Sequence, residues 1–149
     1  MEEIFRTIFT ALKSLTWIKQ ISAEEGQLEN IDQDGQFKPV ALLPCVLIDA
    51  QSVQWDAGDL ITQSGQATII TRFAYRKTTD QSNLTGADLF NASLTALKNR
   101  SLIESAIANA PELVGVHGRL ERVSTHREKR SDGLIVYQTT WMVSVDETL

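Results

Sequence analysis

Along residues 2–20, Ile4, Phe5, Ile8, Phe9, Leu12, Leu15 and Ile18 recur at three- and four-residue spacing, the period of one helix face. Glu2 and Glu3 stand at the end where a helix dipole is positive, so the pattern predicts an amphipathic N-terminal helix. From Glu24 to Lys38 the chain turns polar (EEGQLENIDQDGQFK), which reads as a connecting loop with room for a short edge strand around Gln27 to Ile31. Val40 to Asp49 is apolar on both alternating faces, as in a strand covered on both sides. Pro44 lies inside that run, so a central strand must begin after it or bulge there. Beyond Gln51 to Gly65, the segment GQATIITRFAYRK alternates: Ala67, Ile69, Thr71, Phe73 and Tyr75 share one face, and Thr68, Ile70, Arg72, Ala74 and Arg76 the other.

In TTDQSNLTGADLF, Thr85 is a candidate helix N-cap with Asp88 three residues on. Leu89, Phe90, Leu94, Leu97, Leu102, Ile103, Ala106 and Ile107 continue a helical stripe. Asn99 to Ser101 interrupt it, and Ser101 with Glu104 repeats the cap pattern, so one helix and two kinked pieces both fit. Pro111 ends it near Asn109 or Ala110. From Val114 to about His126 the chain is again β in character, and a Ser-Asp-Gly turn, with Asp132-Gly133 as a hairpin signal, returns it into LIVYQTTWMVSV. There Ile135, Tyr137, Thr139, Trp141, Val143 and Val145 form the more apolar face, the one expected to meet the helices. The order helix, β, β, helix, β, β predicts an α+β domain spanning residues 1–149. Its expected build is a mostly antiparallel sheet of about four strands, two helices on one face, and a long C-terminal β-hairpin.

A chain of 149 residues is long enough to bury a core without staples. The single cysteine, Cys45, sits inside VALLPCVLID and reads as a buried thiol. Glu2 and Glu3 replace the basic start of a signal peptide, and no apolar run approaches the roughly 18 residues of a membrane span. A soluble protein without membrane contact is expected.

Charge changes the picture. The net charge is -5, yet between Gly115 and Ser131 five basic residues (Arg119, Arg122, Arg127, Lys129, Arg130) face two acidic ones, leaving 9 basic against 17 acidic elsewhere. Such asymmetry points to a polyanion site or to contact between copies. Aromatic residues are not interleaved with the basic ones, and Glu128 sits among them, which disfavours nucleic-acid recognition. Catalysis is poorly supplied. His117 and His126 are nine residues apart, an odd separation that sends them to opposite faces of a regular strand and weakens a shared metal site. Asp56 and Asp59 lack calcium-loop spacing, and Cys45 has neither a CxxC partner nor an activating base. No enzyme activity, metal or cofactor is expected. The candidate interaction residues are Arg119, Arg122, Arg127, Lys129 and Arg130, with Asp132 at the turn, and the acidic loop Glu24 to Asp34 is a candidate complement on a neighbouring copy.

Taken together, the N-terminal helix, PVALLPCVLIDAQSVQW, QATIITRFAYRK, the mid-chain helix and the hairpin GRLERVSTHREKRSDGLIVYQTTWMVSVDE resemble the tail-terminator (tail-completion) proteins of long-tailed bacteriophages. The resemblance covers nearly the whole chain and rests on element order, length and the hairpin. It implies a structural virion protein, assembled in the host cytoplasm, that forms a ring, usually a hexamer, at the head-proximal end of the tail. Such a ring stops tail-tube polymerisation and meets a head-completion or connector protein. DNA passes through its lumen without specific binding. Related neck proteins share this build, and no catalytic residue is implied.

Overall fold

The computed structural model describes residues 1–29, 41–56, 58, 61–76, 86–110 and 116–148. Its elements are α1 (Glu2–Lys13), β1 (Gln20–Ala23), β2 (Cys45–Trp55), β3 (Thr62–Arg76), α2 (Gly86–Ala108), β4 (Val116–Arg127) and β5 (Leu134–Thr148). They form an α+β fold with one five-stranded sheet in the order β1-β2-β3-β5-β4. Among the described strands only β1 and β2 pair in parallel.

The strand alternation read from the sequence sorts the core into two layers. On the helix side, Ile4, Ile8 and Leu12 of α1 and Ile103 and Ile107 of α2 pack on Val46, Ile48, Ala67, Ile69, Phe73, Trp141, Val143 and Val145. Trp141 is fully buried, and its indole N–H donates to Thr71 Oγ1 at 3.0 Å, which satisfies the one polar atom that its burial would strand. On the opposite side, Cys45, Leu47, Ala74, Leu134 and Val136 form a smaller cluster capped by Leu28.

Several elements differ from the sequence expectation. The N-terminal helix stops at Lys13 rather than continuing to residue 20. Leu15 and Ile18 still pack against the core, but through tight turns in which Leu15 N–H donates to Leu12 O (2.9 Å) and Ile18 N–H to Leu15 O (3.1 Å). Inward periodicity therefore continued after the helical backbone had ended. The turn delivers β1 to the edge of β2, a fifth strand that the pattern did not single out. Because β1 and β2 run parallel, the chain between them must cross over, and residues 24–29 and 41–44 of that crossover bring Leu28, Ala41 and Leu43 onto the smaller cluster. Of the edge strand expected at Gln27 to Ile31, the described part, through Glu29, is turn and bend. The rest lies outside the described residues, as do Thr85, Pro111, Asp59 and the end of the acidic loop.

The β2 strand begins directly after Pro44, as the proline requires, and runs on to Trp55, while β3 starts at Thr62. Backbone pairing thus extends well past the core, to Trp55 opposite Gly65, with a register shift between Ala50 and Ser52. Gly65 is a point of close approach: a Cβ there would lie 2.5 Å from Gln54 O and 2.9 Å from the Trp55 ring.

The mid-chain helix is assigned continuously from Gly86 to Ala108, through Asn99 to Ser101. Its stripe is not wholly inward, for Ile103 and Ile107 are buried whereas Phe90, Leu94, Leu97 and Leu102 are exposed, Phe90 at 63%. Between β4 and β5 the turn spans residues 128–133, and Gly133 takes φ +79°, a backbone region that glycine tolerates best. The β4 strand carries two register shifts, between His117 and Glu121 and between Arg122 and Ser124. The backbones of His117 and His126 pair with Ser144 and Gln138.

Candidate protein-interaction site

The six candidate residues fall into two groups. Arg119, Arg127 and Lys129 are exposed and make no ion pair among the described residues. Arg122, Arg130 and Asp132 are engaged within the chain itself.

Arg130 belongs to a clasp centred on Arg72, a residue that alternation places on the sheet face opposite the helices. The Arg72 fork holds Glu128 with both oxygens (2.8 and 2.9 Å), reaches Glu24 at 3.1 Å and takes Glu29 at 2.6 Å. Arg130 holds Asp132 (2.6 and 2.9 Å), Glu128 (3.0 Å) and Glu29 (3.4 Å), and its Nη2 donates to the Leu28 carbonyl at 2.6 Å. Two guanidinium forks, from β3 and the hairpin turn, thus meet four carboxylates, two from the crossover and two from the hairpin turn. Planar forks suit this task because each can serve several oxygens at once.

The electrostatics follow from this geometry. For Arg72, burial disfavours the charge, but hydrogen bonds to Glu128 and Glu29 outweigh it and hold the pKa above its usual value. For Arg130 burial acts in the same direction, and Asp132 and Glu128 overcome it. The Arg72 hydrogen bond keeps Glu29 below the ordinary glutamate range despite opposing burial. In Asp132 burial is the largest influence and pushes upward, yet Arg130 and the Leu134 N–H together carry the carboxyl below its ordinary value. Beneath the clasp, burial, with Glu24's charge adding to it, pushes the Cys45 thiol up to about 11, which makes it a poor nucleophile at neutral pH.

Arg122 pairs with Glu104 of α2 across the helix–sheet boundary. Glu104 is almost fully buried, and its Oε1 accepts from Thr125 (2.9 Å) and Thr139 (3.1 Å), whose hydroxyls lie 3.1 Å from each other. This carboxylate fixes the C-terminal half of α2 against β4 and β5. In sequence it looked like a cap partner for Ser101. The signal that identifies it better is its place between Ile103 and Ile107 on the inward face, where a charge needs a partner.

Sequence reasoning expected the acidic segment from Glu24 to complement the hairpin of another copy. Glu24 and Glu29 instead meet Arg72 and Arg130 of their own chain. Arg72 was assigned to a strand face but not to a site; its signal was a guanidinium on the less apolar face of a half-buried strand.

Elsewhere, an open polar concavity at the far end of the sheet is lined by Gln54, Asp56, Ser64, Gln66, Ser144 and Asp146. Among the described residues no group of three or more His, Cys, Asp or Glu side chains is arranged to hold a metal ion. No described helix is long and apolar enough to cross a membrane.

No protein-family model matches the sequence, and no curated protein matches it. Among solved structures, the fold is similar to a chain in the virion of a native gene transfer agent (GTA) particle, with a TM-score of 0.50 and 10% sequence identity. That likeness covers 96% of this chain and 94% of the other, so the shared fold extends over both chains nearly end to end.

Proposed function

We propose that this chain is a structural virion protein of the tail-terminator type. In this reading it assembles as a ring, a hexamer, at the head-proximal end of a phage tail. There it ends tail-tube polymerisation and offers a face to a head-completion or connector protein, while DNA passes through the lumen without specific binding.

The observation that carries this reading is the near end-to-end fold similarity to a chain that is itself part of a virion. The charge arrangement supports protein contact over nucleic-acid recognition. Arg122 and Arg130 are neutralised by carboxylates of the same chain, which leaves Arg119, Arg127 and Lys129 as the free cations of the hairpin among the described residues. Three scattered charges are a weak grip on a phosphate backbone, whereas exposed cations on one side of an acidic chain suit head-to-tail contacts that close into a ring.

The test is particle size by multi-angle light scattering across a concentration series, with negative-stain imaging of the largest species. Closed rings of uniform diameter are expected, alone or on isolated tail tubes. A chain that stays monomeric throughout and decorates no tube end overturns the reading, and rings that bind the connector but not the tube would assign it instead to another neck position.

A further inference from the structure

Tyr137 lies at the centre of a group that gathers two arginines without a counter-charge among the described residues. Its cross-strand neighbours are Phe73 on β3 and Arg127 on β4. Tyr75 is two residues along β3 on the same face, its ring 5.2 Å from that of Phe73. From α2, the Arg100 guanidinium stacks over the Tyr137 ring at 4.9 Å. Burial raises the Tyr75 pKa and Tyr137 adds to the effect, while Arg127 and Arg100 oppose it, so both cations act on one tyrosine.

This corner contrasts with the other arginine sites. Arg72 and Arg130 share four carboxylates, and Arg122 has Glu104. Arg100 and Arg127 have no ion pair among the described residues, and Arg100 Nε is buried with no hydrogen-bond acceptor. A buried donor left unmade is costly and calls for an explanation. A guanidinium held by an aromatic face, with its Nε–H unspent and a second arginine nearby, presents the fork geometry that carboxylates fit.

We propose that Arg100, Arg127, Tyr75 and Tyr137 form a carboxylate-binding site that takes an acidic side chain from a second copy of this chain. The identity of the occupant rests on the ring reading; carboxylate binding does not. A second copy fits because the chain carries 19 acidic residues against 14 basic ones and displays exposed carboxylates at Glu3, Glu25, Glu121 and Glu147. A nucleic acid fits less well, since a phosphate backbone is held by a track of free cations and this corner offers two.

The direct probe is the Arg100 Nε–H resonance of the full-length, isotope-labelled chain, titrated in turn with a capped tetraglutamate peptide, inorganic phosphate and a thymidine dodecamer. The peptide is expected to shift that resonance saturably. Arg127→Gln should weaken the peptide at least about tenfold, as expected for loss of a charge-assisted hydrogen bond, and Lys13→Gln, far from the site in sequence and on α1, should leave affinity unchanged. Arg100→Gln, checked for native circular dichroism, should reduce self-association in light scattering. No shift at millimolar peptide, or a shift produced by the oligonucleotide alone, overturns the site. Saturable peptide binding by a chain that remains monomeric at every concentration upholds the carboxylate site and overturns both the second-copy occupant and the ring.

Discussion

Arg130 Nη2 donates to the carbonyl of Leu28 at 2.6 Å, joining the hairpin turn to a crossover segment 102 residues earlier in the chain. Leu28 is fully buried in the same small cluster as Cys45, so this contact holds the cover over the protein's single thiol. Arg130→Gln is expected to raise the labelling rate of Cys45 by a neutral thiol reagent at least about tenfold at pH 7.5, since hydrogen bonds to charged groups contribute about 1.5–3 kcal/mol. Core amide exchange at β3 should change far less, which marks the opening as local. Equal acceleration of thiol and core would show that residues 24–29 have no separate opening.

The clasp also sets an acid limit. In the folded chain Glu29 and Asp132 are held below their ordinary values of 4.5 and 3.8. A depressed carboxyl contributes stability that is present above its unfolded pKa and is lost as pH falls through its folded pKa. Stability should therefore be flat near neutrality and decline from about pH 4.5 downward. The Glu29 share is small, because that side chain is half exposed and screened by solvent. Asp132→Asn should flatten the lower part of this decline in thermal melts taken from pH 7 to pH 3.

Glu104 carries more weight than its helical neighbours suggest. Glu104→Ala removes the acceptor for Arg122, Thr125 and Thr139 and leaves a gap under α2. A loss of about 2–4 kcal/mol is expected in urea unfolding, between the cost of one lost charged hydrogen bond and that of breaking a buried pair. Arg122→Ala should cost less, since its side chain is 55% exposed and water can replace part of the contact. The reverse ranking would show that the carboxylate is not the anchor.

Much of this fold was legible because alternation and helical period report which residues face inward. The two faces of β3, the apolar face of β5 and the inward side of α1 follow from spacing alone. What spacing could not report was where α1 ends, since Leu15 and Ile18 stay inward through a turn, or that β1 pairs parallel with β2, since four residues carry little pattern. The clasp was illegible for a different reason. Its long-range ion pairs lie 43 to 101 residues apart, and nothing local to Arg72 or Glu29 specifies the partner. The candidate list consequently treated Arg130 and Asp132 like Arg127 and Lys129, although the first two are already engaged with each other.

The stripe on α2 provides a contrast that spacing alone would miss. Phe90 and Leu94 are exposed, whereas Ile107 is fully buried. Phe90→Ser and Leu94→Ser are each expected to stay within about 0.5 kcal/mol of the parent, as for surface changes generally, while Ile107→Ala should cost about 2–5 kcal/mol through lost burial and cavity formation. Chemical denaturation of the three variants reads this directly; comparable losses at all three would place the N-terminal half of α2 in the core.

The central claim concerns the end of a tail, and tube length measures it most directly. Cognate tail-tube protein should be polymerised with increasing amounts of this chain, and the tubes imaged and measured. The account predicts tubes that shorten as the chain is added, each carrying a ring at one end. Tubes of unchanged length with bare ends would contradict it.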